Sequence, residues 1–428
     1  MRILDIFKKN NIKYLFLGLL LFTDFIKNTT LRDFNTFSWY YLSIINSLTV
    51  LFILIEYKYF KSRIEAVLNN KISIIYIGFV VWSIMSFFYA DNNTEVIIKS
   101  GVWINALFIF LNVSILFYDQ LNFKVIAVLI SINLLLGVYS SFSNYWELIK
   151  YTPYTFSNNS LLVGIAGNRN VTALLFCLKI PFILYLIDVF KNKYLKIISY
   201  LLLIFSIYTL LLLGSRSSYI YFSLILIISI SYTFFRYWNN KKTIIKNLHL
   251  FNGFIISYFL FIIFVGSNNT ASVNQRITSI NIEDTSTQTR LRYYQHGLNS
   301  LINNPFIGVG LGNWKIKSID LDSENIMSYI VPYYLHNDFL EIGAELGFIG
   351  LILYLSIFVL VMLKLMKMIY LDIKSNKNSL PKYILFLSLI VYFIDSNLNF
   401  PHGRALSQTA FNIILAFSVL INSKNEKQ

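Results

Sequence analysis

The sequence predicts an all-α fold: a polytopic integral membrane protein of about 12 transmembrane helices, with a large helical loop between helices nine and ten. Composition is the first observation behind this. Of 428 residues, 56% are hydrophobic and only 13% are charged, with 38 Phe and 30 Tyr. Mean hydropathy is +0.60. A soluble chain carries roughly 25% charge, so two or three soluble domains of this length would lack polar cover. The same numbers exclude disorder, which needs low hydrophobicity and few aromatic residues. The second observation is the spacing of apolar stretches. The third is the distribution of Lys and Arg between them.

A bilayer core is crossed by about 20 mostly apolar residues in a helix. Twelve stretches fit: 13–31, 37–56, 72–90, 99–118, 123–142, 170–190, 195–213, 217–236, 247–265, 338–363, 383–397 and 405–422. The first follows Arg2, Lys8 and Lys9, as a signal peptide would. No small-x-small cleavage site comes after it, so it reads as a retained helix. The eleventh is the shortest.

Cytoplasmic connections of membrane proteins are enriched in Lys and Arg. With the N-terminus placed in the cytoplasm, the cytoplasmic segments hold 23 of the 36 Lys and Arg but 7 of the 21 Asp and Glu. The expectation is therefore a multi-pass protein with both termini cytoplasmic. Its net charge of +15 then faces anionic inner-leaflet lipids, and nucleic acid is not an expected partner. Two connections are long, 143–169 and 266–337, and both fall on the outer side. The second is long enough for a small helical subdomain within a single membrane domain spanning 1–428. Because it lies between spans nine and ten, the chain does not divide into equal six-helix halves, which counts against a transporter built from parallel repeats.

Metal and disulfide chemistry find little support. Cys177 is the one cysteine, and His249, His296, His336 and His402 lie far apart with no HxxxH spacing. No zinc site is expected, and no cofactor. Gly308-x-Gly310-x-Gly312 lacks the βαβ context of a dinucleotide loop and reads as backbone turns.

The informative residues are cationic and sit at outer helix ends. Gly214-Ser215-Arg216-Ser217-Ser218 joins two apolar spans with almost no loop. A desolvated guanidinium there calls for an anion or carbonyls, and a planar guanidinium suits phosphate; a snorkelling Arg in a tight turn is the simpler alternative. Thr289-Arg290-Leu291-Arg292-Tyr293-Tyr294 opens a helix on which Leu291, Leu298, Leu301 and Ile302 recur at helical spacing, so one face can pack down. Arg290 and Arg292 are about 200° apart on it, so only one can face a given site, and the pattern does not choose. His336-Asn337-Asp338 directly precedes span ten. Histidine suits proton transfer near neutral pH, although a lone His more commonly serves structure. Gly167-Asn168-Arg169-Asn170 and Phe400-Pro401-His402-Gly403-Arg404 offer further donors, or helix caps. Lys179, Asp24 and Asp395 lie inside apolar stretches. Together these suit an anionic headgroup presented from the membrane, such as a lipid-linked diphosphate.

At these residues the sequence resembles the O-antigen ligase and O-antigen polymerase superfamily of bacterial envelope enzymes. The resemblance covers about 160–355. It is carried by GNRN at 167–170, GSRSS at 214–218, TRLRYYQHGLNSLINNPFIGVGLGNW at 289–314 and HNDFLEIGAELGFIG at 336–350. It implies glycosyl transfer on the periplasmic face of the bacterial inner membrane. The donor would be a glycan on undecaprenyl diphosphate, and the acceptor lipid A-core, another glycan or a protein hydroxyl. Inverting, metal-independent chemistry is expected. The resemblance places Arg216 and Arg290 at the diphosphate and His336 as base, because Arg290 starts the aromatic-containing helix that ends in P-x-x-G-x-G. Arg169, Asn170, Arg404 and Asn337 are further candidates for substrate binding. The competing readings are a lipid-linked oligosaccharide flippase or other transporter, a protein O-oligosaccharyltransferase, and a non-catalytic envelope assembly protein.

Overall fold

The computed structural model describes residues 11–26, 34–152, 154–155, 158–238, 248–265, 285–326 and 332–421. Arg2, Lys8, Lys9, Lys241, Lys242, Lys246, Lys424 and Lys427, which contribute to the orientation argument, lie outside these residues, as does 266–284 of the large loop. Among the described residues the fold is all-helical, without strands. In chain order the helices are α1 (Ile12–Phe22), α2 (Phe34–Ile55), α3 (Tyr57–Leu68), α4 (Lys71–Met85), α5 (Asn93–Phe117), α6 (Phe123–Tyr151), α7 (Arg169–Val189) and α8 (Lys193–Leu213). They continue with α9 (Arg216–Arg236), α10 (His249–Val265), α11 (Thr285–Asn303), α12 (Trp314–Asp322), α13 (Asp338–Lys374), α14 (Leu380–Leu398) and α15 (Ala405–Leu420).

Each of the twelve predicted stretches overlaps one of these helices. Among the described residues, nine helices are long and apolar enough to cross a membrane: α2, α4 with its 3-10 extension to Phe88, α5 to α9, α13 and α14. The chain is thus a polytopic helical membrane protein. Helices α1, α10 and α15 are shorter, at 11, 17 and 16 residues. Helices α3, α11 and α12 lie outside the predicted stretches. Asparagine side chains start several helices by accepting backbone N–H groups: Asn92 for α5, Asn122 for α6, Asn168 for α7 and Asn192 for α8. Such caps satisfy amide donors that no earlier turn can reach.

The chain forms two compact units. One comprises Met1–Leu121, Ile282–Lys364 and Phe393–Gln428; the other comprises Asn122–Asn281 and Leu365–Tyr392. In the first, α15 is the core helix, with nearly every residue buried, and it packs on α5. Buried amides tie this core together. Asn46 donates to Asn105 Oδ1 at 3.1 Å, and Tyr76 donates its hydroxyl to Asn412 Oδ1 at 3.0 Å. Such bonds hold helices where apolar contact alone gives no preference between protein and lipid. In the second unit α7 is the core helix. Lys179, inside it, donates to Asn133 Oδ1 at 2.5 Å.

Helix α13 is not the single span that 338–363 predicts. It breaks at Gly347, which has φ +69°. The break is made from outside the helix. The carbonyls of Ala344 and Glu345 accept the Val309 and Gly310 amides at 3.0 and 2.8 Å, and the Phe348 amide donates to Pro305 O at 2.7 Å. Trp82 Nε1 donates to Leu346 O at 3.1 Å. The segment Pro305–Gly310 therefore caps the short helix Asp338–Leu346. It comes this close because neither side carries a Cβ at the contact. A Cβ on Gly347 would lie 2.3 Å from the Phe306 backbone, and one on Gly308 would lie 2.3 Å from the Glu345 backbone. Gly308, Gly310 and Gly312 all have positive φ, so the glycine run is a set of backbone turns. Gly347→Ala and Gly308→Ala are each expected to destabilise the protein by about 1–3 kcal/mol from backbone conformation alone, with the clash added. Thermal unfolding in detergent measures this, and an unchanged midpoint would show that the contact is dispensable.

Candidate functional site

In the first unit, the start of α11, the segment before α13 and the turn after α14 bring four predicted site residues together: Arg290, His336, Asn337 and Arg404. His336 is partly buried and has φ +60°, the left-handed region that a non-glycine residue adopts only when its surroundings hold it there. Its neighbours supply that hold. The Leu335 amide donates to Glu341 Oε2 at 2.8 Å. The His336 carbonyl accepts the Tyr294 hydroxyl at 3.0 Å, and that hydroxyl also lies 3.2 Å from Asn397 O. Asn337 caps α13, its Oδ1 accepting the Phe339 and Leu340 amides at 3.1 Å each.

The His336 ring meets the edge of Phe400, with centroids 4.9 Å apart. The Arg404 guanidinium lies 4.9 Å from the same Phe400 ring. Tyr334 stacks on that ring at 4.2 Å. Arg290 donates to Leu398 O at 2.9 Å, anchored at the C-terminal end of α14. Arg292, about 200° away on α11, instead pairs with buried Asp322 at 2.7 Å. Arg290 and Arg404 both act on His336 electrostatically. Burial first, then Arg290 and Arg404, push the imidazole down to about 4, against an opposing pull from Glu341. At neutral pH the ring is uncharged. Its Nδ1 is buried without a hydrogen-bond partner among the described residues.

A buried ion cluster underlies this group. His402 places Nδ1 2.6 Å from Asp338 Oδ1 and Nε2 3.2 Å from Glu341 Oε1. Its backbone amide donates to Asp338 Oδ2 at 3.2 Å. All three side chains are buried, and Trp103 stacks on the imidazole at 5.8 Å. Burial alone would lower the His402 value, but the Asp338 and Glu341 carboxylates outweigh it and hold the ring well above the usual histidine range. His402 is thus an imidazolium donating from both nitrogens. Glu341 ties His402 to the Leu335 amide, so the cluster joins the chain bearing His336 to the turn bearing Arg404. Sequence reading noticed Asp338 and His402 only as neighbours of other candidates, and missed Glu341. The available signal was Asp338, Glu341 and Glu345 on one helical face in a charge-poor chain.

In the second unit, Gly214 closes α8 in a left-handed cap with φ +55°, and Arg216 opens α9 directly. Arg169 opens α7. Ser215 Oγ donates to Asn170 Oδ1 at 2.8 Å, joining the two helix starts. The two guanidinium groups are close enough to repel each other, and each sits at a helix N-terminus, where the backbone dipole is already positive. An anion relieves both. The Arg169, Asn170 and Arg216 group belongs to this unit, and the Arg290, His336, Asn337 and Arg404 group to the other. Among the described residues, no three His, Cys, Asp or Glu side chains are arranged to hold a metal.

No curated protein matches the chain. The GNRN segment at 167–170 precedes the part of the chain that a family model does match. Residues 201–355, a stretch that holds Arg216, Arg290 and His336, match the family model described as O-antigen ligase.

Proposed function

We propose that the protein transfers a glycan from undecaprenyl diphosphate to an acceptor hydroxyl on the periplasmic face of the bacterial inner membrane, as an O-antigen ligase or polysaccharide polymerase. The observation that carries this reading is His336 against the Phe400 ring, which also carries the Arg404 guanidinium, with Arg290 held at Leu398 O. Arg290 holds the donor diphosphate, with Arg404 as a second cation. Arg216 is assigned to a diphosphate by the family resemblance, and the repulsion between the Arg169 and Arg216 guanidinium groups supports an anion at their helix starts. On this reading twelve helices cross the membrane, both termini are cytoplasmic, and the 266–337 loop is periplasmic.

The chemistry follows from the charges. The acceptor oxygen forms a bond to the anomeric carbon as the bond from that carbon to the diphosphate oxygen breaks. The electron pair leaves with undecaprenyl diphosphate, and the acceptor proton passes to the His336 imidazole. Fixed guanidinium groups stabilise the growing negative charge without reorganising. Attack opposite the departing diphosphate inverts the anomeric centre. The leaving group is already good, so the paired carboxylates of glycosidases are not required.

Arg290→Ala is expected to lower the transfer rate by about 10²–10³, the loss typical for one preorganised charge stabiliser. Arg292→Ala is expected to change it far less. The assay is product formation from purified protein with a lipid-linked glycan. Equal losses from the two substitutions would remove Arg290 from the diphosphate. Supplying lipid A-core, a second lipid-linked glycan or a protein acceptor in turn identifies the acceptor.

A further inference from the structure

Helix α11 is built inside out for an ordinary extramembrane helix. Its polar residues face the protein: Arg290 donates to Leu398 O, Arg292 pairs with Asp322, and Tyr294 bonds to His336 O. Of the four apolar residues predicted to pack down, Leu301 does so. Leu291 and Leu298 are nearly half exposed, and Ile302 is 68% exposed. These three fall within roughly 40° of arc at 100° per residue. Gln288 and Gln295 border them on one side, and no charged residue of α11 lies on that face.

The apolar face continues beyond the helix. Phe306 is 71% exposed, and Ile307 is exposed beside it. This segment is fastened to the ends of two candidate membrane spans. The Tyr89 hydroxyl donates to Ile307 O at 2.7 Å, directly after the span Lys71–Phe88, whose Phe88 is 84% exposed. The Phe348 amide donates to Pro305 O where the apolar part of α13 begins, and Phe348 and Ile349 are themselves exposed. The segment that follows α11 is thus tied to the ends of two candidate membrane spans, beside exposed apolar side chains.

We propose that α11 and the following Pro305–Ile307 turn form an interfacial segment, with Leu291, Leu298, Ile302 and Phe306 inserted into the leaflet nearest the candidate site. A charge-free apolar face opposite a polar one is what an in-plane interfacial helix requires. Arg290 lies about 100° around the same helix from Leu291, on a flank that faces the protein. That places it at headgroup depth, where the diphosphate of a lipid-linked donor lies and where a soluble nucleotide sugar would not be held. This last point rests on the proposed function; the insertion itself does not.

The test uses the full-length protein with Cys177, the single and buried cysteine, replaced by serine. Leu298→Cys and Phe306→Cys are spin-labelled separately in phosphatidylethanolamine/phosphatidylglycerol vesicles, with Lys317→Cys as the exposed reference. Both labels are expected to collide with oxygen more than with an aqueous nickel chelate, by severalfold relative to the reference. Preference for the nickel chelate at both positions would overturn the proposal. Protection from both reagents would also overturn it, showing that protein covers the face. Depth is read without donor, so a failure of the transferase reading leaves this result independent.

Discussion

His336→Ala is expected to reduce glycan transfer by about 10²–10⁴, the range for loss of a positioned general base, while leaving membrane insertion unchanged. The pH profiles carry more information than the loss alone. In the empty enzyme His336 is held down to about 4, by burial first and then by Arg290 and Arg404. Its uncharged form, the one able to accept a proton, therefore persists as pH falls until about 4. The acid limb of kcat/KM, which reports the free enzyme, should lie there. A bound diphosphate neutralises the two arginines that act on the ring. The acid limb of kcat, which reports the bound complex, should then lie at higher pH. Arg404→Gln should shift the kcat/KM limb upward by removing one of the lowering charges. Coincident limbs, or an unshifted limb in that variant, would mean that these cations do not set the basicity of His336.

Asp338→Asn should be the most destabilising single substitution in the first unit. It removes one partner of the His402 imidazolium and leaves that charge paired with Glu341 alone in a fully buried setting. Breaking a buried ion pair in this way costs about 3–5 kcal/mol. The pH dependence has a definite sign. His402 is held above its unfolded value, so its contribution is complete below about 6.5 and is lost as pH rises through the folded value. Unfolding midpoints in detergent should therefore fall on the alkaline side in the native protein. The fall should be smaller in His402→Gln, which has no such proton to lose. An alkaline fall of equal size in both would place the titration elsewhere.

Hydropathy located the nine long apolar helices among the described residues, because a lipid-spanning segment must satisfy its backbone internally and show apolar side chains. It was insufficient for the break at Gly347, which is made by Pro305–Gly310, residues distant in sequence. It also misdirected α11: the spacing of Leu291, Leu298 and Ile302 signals an apolar face but not which way that face points. Among the candidate residues, Arg216 and Arg290 stood out because cations are scarce at those helix ends, and His336 because it directly precedes an apolar stretch. The choice of Arg290 over Arg292 came from the family resemblance. The geometry adds a physical difference between them, since Arg292 is engaged by Asp322 at 2.7 Å. The His402 cluster was not legible, because three partners from two distant segments meet only in the fold.

Release of the lipid diphosphate distinguishes transfer from transport. Purified protein in vesicles, given a lipid-linked glycan and an acceptor, should release one undecaprenyl diphosphate for each glycosidic bond formed. Arg290→Ala and His336→Ala should suppress both products together. Donor that crosses the bilayer with its glycan still attached, and with no diphosphate released, would contradict the account and identify a transporter.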